Sequence, residues 1–63
     1  PLELVEMALT LERRAEQFFR ERVDTAAGAA RELYRELAAE EAEHIDLLTT
    51  ELAAMRQHRR ALL

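Results

Sequence analysis

The sequence predicts an all-α protein, an antiparallel two-helix hairpin that dimerises into a four-helix bundle. Three observations lead there. Of the 63 residues, 12 Ala, 11 Leu, 11 Glu and 9 Arg supply about two thirds, and all four are strong helix formers. One Gly, one Pro and no Ser or Asn leave too little turn material for a sandwich, a barrel or a doubly wound sheet. Apolar residues recur at alternating spacings of three and four along two stretches with a single break between them.

The first stretch predicts a helix over about residues 2–22 and the second a helix over about residues 26–60. The break is Val23-Asp24-Thr25-Ala26-Ala27-Gly28, where small residues and cap formers replace large apolar ones. Asp24 or Thr25 is the expected N-cap of the second helix. Gly28 is read in that helix's first turn because of its Ala-rich flanks; a loop position would delay the start. At 1.5 Å per residue the helices are roughly 30 and 50 Å long, so the second overhangs the first and needs another surface to cover it.

Composition excludes several function classes. No Cys means no disulfide framework, thiolate zinc site, iron–sulfur cluster or cysteine nucleophile, and with no Ser the commonest nucleophilic hydroxyl is missing too. No apolar run approaches the roughly 20 residues of a membrane span, and the first residues carry Glu3 and Glu6 where a signal peptide is basic. A formal charge of −4 argues against nucleic acid as the main partner and favours attraction of cations. The sequence opens at Pro1 without an initiator Met, as a processed or trimmed segment would. Below about 70–80 residues a single core rarely supplies more than a few kcal/mol without a disulfide, a metal or a partner chain, and disulfides are already excluded.

On the first helix Val5, Ala8, Ala15, Phe19 and Val23 form one stripe, flanked by Leu4, Leu11 and Phe18, and Glu12 falls inside it. On the second, Ala30, Leu33, Tyr34, Leu37, Ile45, Leu48, Leu52, Met55 and Leu62 form the apolar face, and Glu41 and His44 fall inside that one. Glu32, Glu36, Glu40 and Glu43 point to the other side. An unpaired charge in a core is costly, and no Arg occupies these central positions to neutralise it. A cation resolves the cost. Glu41 and His44, three apart, reach one ion from one helix face, while Glu12 approaches from the facing helix. A lone histidine in a seam is ordinarily a hydrogen-bonded core residue; joined to two carboxylates it reads as a ligand. The three donors are half of a known set: dinuclear carboxylate centres in four-helix bundles take one Glu from each of two helices and Glu-x-x-His from each of the other two. Two copies related by a two-fold axis supply the whole set and bury both apolar stripes.

The stretches that carry these residues resemble a known family. Ala8-Leu9-Thr10-Leu11-Glu12-Arg13-Arg14-Ala15-Glu16-Gln17-Phe18-Phe19 is similar to the first ligand helix of ferritin-like, rubrerythrin-type di-iron proteins, with a ligand Glu six and seven residues before a pair of aromatics. Leu33 to His44 is similar to their Glu-x-x-His helix, including the doubled Glu40-Glu41. Typical members carry four helices in one chain; a two-helix chain is similar to the encapsulated ferritins. The resemblance covers about residues 4–50 and implies a ferritin-like bundle with Glu12, Glu41 and His44 as metal ligands. It further implies ferroxidase-type oxidation of ferrous iron by oxygen or peroxide, for iron storage or detoxification. Two iron ions per dimer are implied as cofactor, with manganese suiting the same donors. The two copies of Glu41 would bridge ions about 3.5–4 Å apart and Glu12 would be terminal, with no catalytic residue beyond the metal ligands. The implied partners are a second copy and an encapsulating shell protein, and the implied location is the cytoplasm, inside a nanocompartment in the encapsulated forms. Ala61-Leu62-Leu63 shows no clear cargo-targeting tail.

The other conspicuous residues have plainer readings. Glu16 lies off the seam as solvated surface, with an accessory or entry-site metal role as the alternative; Tyr34 is core with a satisfied hydroxyl, the alternative being electron relay beside a metal centre; Phe18 and Phe19 are packing residues. His58, with Arg56, Arg59 and Arg60, complements the C-terminal end of the second helix. The competing functional reading is a non-enzymatic helical oligomerisation module, or a fragment of a larger rubrerythrin-like bundle, whose seam polar groups specify register.

Overall fold

A computed structural model describes residues 1–62 and contains two helices, α1 (Leu2–Thr25) and α2 (Gly28–Ala61). Leu63 lies outside the described residues, and with it the end of the C-terminal tripeptide. The helices pack side by side as an antiparallel hairpin about 53 Å long and 13–14 Å across. At 1.5 Å per residue α1 spans about 36 Å and α2 about 51 Å, so the overhang is just under three turns. No helix among the described residues is long and apolar enough to cross a membrane.

The turn differs from the predicted one. Asp24 and Thr25 do not cap α2; both belong to the last turn of α1, which runs three residues past the expected end at Arg22. The Thr25 hydroxyl donates back to the Arg22 carbonyl (3.4 Å), and the Ala26 amide donates to the same oxygen (2.8 Å). The hydroxyl thereby serves the helix behind it and cannot reach the amides ahead. Ala26 and Ala27 are extended and make the reversal in two residues, so α2 begins at Gly28 with no side-chain cap. Arg31 supports the reversal by donating its Nε to the Ala26 carbonyl at 2.9 Å.

Gly28 takes φ of +59°, a left-handed conformation that a side chain disfavours, although a Cβ there would meet no atom within 4 Å. Gly28→Ala is therefore expected to lower stability through backbone strain alone, by about 1 kcal/mol. For a chain of this size that is about 4–8 °C in melting temperature, measured by circular dichroism.

Along the hairpin seam lie Val5, Ala8, Leu9, Ala15, Phe19 and Val23 of α1, against Tyr34, Leu37, Ala38, Ile45, Leu48, Leu52 and Met55 of α2. Among the described residues only Leu9, Ala38 and Leu52 are buried, and each keeps 5–6% exposure. Phe19 leans on Tyr34 with ring centroids 6.3 Å apart, closing the end near the turn. At the open end Arg56 reaches Glu6 across the helices at 3.4 Å, a different role from the helix-end complement expected of it. His58, Arg59 and Arg60 do occupy the last turn of α2. α2 extends past α1, and a core this small leaves the hairpin short of apolar burial.

Candidate metal centre

Glu12 lies on the seam face of α1, midway along it, because it falls three or four residues from Ala8, Leu9, Ala15 and Glu16, all of which turn toward α2. Glu41 lies on the seam face of α2, between Ala38 and Ile45, and His44 follows one turn on. The fold brings all three to one place: one ligand atom from each lies within 4.8 Å of the others. His44 Nδ1 is 3.5 Å from Glu12 Oε2 and 3.9 Å from Glu41 Oε2. Two donors bound at about 2.1 Å to a common ion stand about 3.0–3.4 Å apart at octahedral or tetrahedral angles. The two His44 separations exceed that by roughly 0.1–0.9 Å, a gap that side-chain rotations can close.

Depth differs among the three. The side chains of Glu12 and Glu41 are 31% and 19% exposed, and that of His44 is 54% exposed. The expectation that all three are core residues thus holds for a half-buried carboxylate pair and needs correction for the imidazole, which stands at the rim. The Oε2 atoms of both carboxylates are sealed from solvent and accept no hydrogen bond among the described residues. Each of these oxygens thus lacks the donor that a buried carboxylate oxygen ordinarily finds, while the rest of each side chain keeps some contact with solvent.

Glu16 provides the contrast within the same helix. Expected on the solvated surface, it is half-buried one turn from Glu12, and Arg20 donates Nε (3.1 Å) and Nη2 (2.8 Å) to its Oε2. The chain thus neutralises one half-buried carboxylate on the seam with its own guanidinium. Among the described residues, Glu12 and Glu41 have no ion-pair partner but His44. The signal for Glu16 was its heptad spacing from Leu9 and Val23, residues that define the seam more closely than the alanine positions do.

The centre opens onto an unusual surface. Leu4 (60% exposed), Met7 (60%), Leu11 (61%) and Phe18 (45%) form a second apolar stripe on α1. On α2 the exposed Leu33, Leu47 and Leu62 share one line with His44 and with the charged Glu40 and Glu51. At 100° per residue the α1 stripe lies roughly 110° and the α2 stripe roughly 85° from its helix's seam line, in the same rotational sense. An antiparallel pair has an approximate two-fold axis normal to the plane of the hairpin, so offsets of one sense put both stripes on one broad face. The opposite face carries Glu3, Glu6, Arg13, Gln17, Glu21 and Asp24 with Glu32, Arg35, Glu43, Asp46 and Gln57. Of the residues assigned to packing, Phe18 and Leu33 therefore sit on this open face, and Arg22 covers the Phe18 ring at 4.6 Å. Met7 and Leu47 belong to it as well, which periodicity read for a single seam did not bring out.

Comparison with family models, curated proteins and solved structures finds no match.

Proposed function

We propose that this chain is half of a ferritin-like dinuclear centre, in which two copies close their apolar faces and together hold a pair of iron ions for ferroxidase chemistry. The observation that carries the reading is the convergence of Glu12, Glu41 and His44, with two sealed carboxylate oxygens that have no hydrogen-bond donor among the described residues. Two carboxylates and one imidazole per chain match the half-set that such bundles use. Hard oxygen donors with one nitrogen suit iron or manganese.

In this reading Glu12 and Glu41 supply the negative charge that draws the cation, and His44, neutral, contributes a ring-nitrogen lone pair. His44 stands nearest the open face, so its imidazole is the donor a second copy covers. Leu4, Met7, Leu11 and Phe18 exclude water from the closed site, which strengthens the pull of the carboxylates. Iron bound there supplies the redox step, with ferrous ion as substrate and dioxygen or peroxide as the electron acceptor. No further residue is assigned as a general acid or base.

The exposed face also suits a non-enzymatic oligomerisation module or a piece of a larger rubrerythrin-like bundle. The two readings part on the metal. The ferroxidase reading expects a native mass of a dimer with two ions, one per chain, after anaerobic loading with ferrous ion, and consumption of that iron when oxygen is admitted. A metal-free mass at every loading, with no ferrous consumption above the protein-free rate, sinks it in favour of the structural module.

A further inference from the structure

We propose that the groove between the helices on the polar face, toward the end away from the turn, binds free orthophosphate between Arg13 and Arg56. The site is separate from the metal centre and needs no second copy. Charge along α2 is segregated: from Glu32 to Glu51 it carries seven acids and one arginine, and from Leu52 to Ala61 three arginines, a histidine and no acid. Cations in the last turn answer the helix dipole, which accounts for His58, Arg59 and Arg60. It does not account for Arg56, farther in, or for Arg13 on the other helix.

Arg13 and Arg56 border one groove of about 320 Å³, floored by the buried Leu9 and Leu52 and walled also by Glu6, Thr10 and Thr49. Four other arginines are engaged: Arg20 holds Glu16, Arg35 holds Glu32, Arg31 the Ala26 carbonyl and Arg22 the Phe18 ring. Arg13 has no ion pair among the described residues, and Arg56 has only Glu6, at 3.4 Å. Arg14, Arg59 and Arg60 are equally free but do not border this groove. Planar guanidinia on facing helices can each turn a fork of N–H donors onto one tetrahedral oxyanion, and the Thr49 hydroxyl adds a neutral donor. The Thr10 hydroxyl is spent on the Glu6 carbonyl (3.1 Å). Glu6 is the competitor: its carboxylate holds Arg56 from an exposed position, and phosphate displaces it into solvent. Bound there, phosphate ties α1 to α2 near the open end. The acids elsewhere on the polar face, Glu3, Glu21, Glu43 and Asp46 among them, repel an anionic bilayer, so the free anion is the ligand.

The test is titration of the full, metal-free chain with sodium phosphate by calorimetry, at ionic strength held constant with sodium chloride. Phosphate is expected to bind one per chain, and at ten times its dissociation constant to raise the melting temperature by about 5–10 °C over chloride. Arg13→Gln and Arg56→Gln are each expected to weaken binding by at least about 10-fold, the loss of a charged hydrogen-bond donor. Arg59→Gln removes the same charge from the same end without touching the groove, and is expected to bind as the wild type does. Glu6→Gln removes the competitor and is expected to tighten binding about 5-fold. Circular dichroism confirms that each variant folds. Phosphate that stabilises no more than matched chloride overturns the site. Equal losses in Arg13→Gln, Arg56→Gln and Arg59→Gln overturn it too, because diffuse attraction to a basic end then explains the binding. A Glu6→Gln chain that binds no tighter overturns the placement in this groove. Co-sedimentation of the wild type with phosphatidylcholine vesicles carrying one part in five of phosphatidic acid (~20%) overturns the assignment to the free anion.

Discussion

Replacing Glu41 with Ala is expected to abolish metal binding while leaving the metal-free hairpin folded. Glu41 is the more enclosed of the two carboxylates, and its sealed Oε2 has no hydrogen-bond donor among the described residues. In the absence of metal its truncation removes an uncompensated charge together with some side-chain packing against α1. These effects oppose each other, so the melting temperature of the metal-free chain is expected to move little. With metal the balance reverses. Loss of a hydrogen-bonded neighbour of a metal ligand already costs about 10–100-fold in affinity, and loss of a ligand costs more. Glu12→Ala and His44→Ala are expected to behave alike, because among the described residues three donors meet at the site and none is spare. Glu43→Ala, on the polar face between Glu41 and His44 in sequence, removes the same charge and is expected to bind metal as the wild type does. Titration by isothermal calorimetry with manganese(II) separates these variants. Normal binding by Glu41→Ala would mean that the three side chains meet for another reason.

The helices were legible in the sequence because nothing in it competes with them: four helix formers dominate, and a single stretch of small residues interrupts the period. The joint was harder. Thr25 and Asp24 are good caps in composition, but a capping hydroxyl chooses between the helix behind and the helix ahead. Two extended alanines put the first amides of α2 out of reach, leaving the Arg22 carbonyl as the partner of Thr25. The meeting of Glu12, Glu41 and His44 was readable because it needs only a three-residue spacing and an antiparallel neighbour. Their unequal depth was not, since it depends on the exact rotation of each helix about its axis. Leu9 illustrates this: it is one residue from Ala8, yet its burial turns the seam far enough to draw in Glu16 and to leave Leu4, Leu11 and Phe18 outside. For the same reason the apolar residues of α1 were read as one stripe with flanks. The fold separates them into a seam that α2 covers and a second stripe that it does not.

That second stripe sets the other large expected effect. Met7→Gln with Leu11→Gln is expected to leave the isolated hairpin intact and to eliminate dimer formation at micromolar concentration, taking tight metal binding with it. Both side chains are about 60% exposed, and glutamine is a comparable helix former of similar length, so the single chain loses little. Across a closed dimer the double variant alters four side chains. At about 1.5 kcal/mol each, the lower end for full burial of Leu or Met, the deficit is about 6 kcal/mol, or about 10⁴-fold in dissociation constant. Neutral glutamines are chosen because a new acid or base beside Glu12 would alter the ligand field directly. The outcome then differs in kind from that of Glu41→Ala. With every ligand present, raising the protein concentration restores the dimer by mass action, and metal uptake returns along with it. No concentration restores a missing carboxylate. Metal titrations of both variants at two protein concentrations, one hundred times the other, therefore tell a site lost from a site merely unassembled. If the Met7→Gln/Leu11→Gln chain binds metal as tightly as the wild type when dilute, the three donors act within one hairpin and the apolar face serves some other contact.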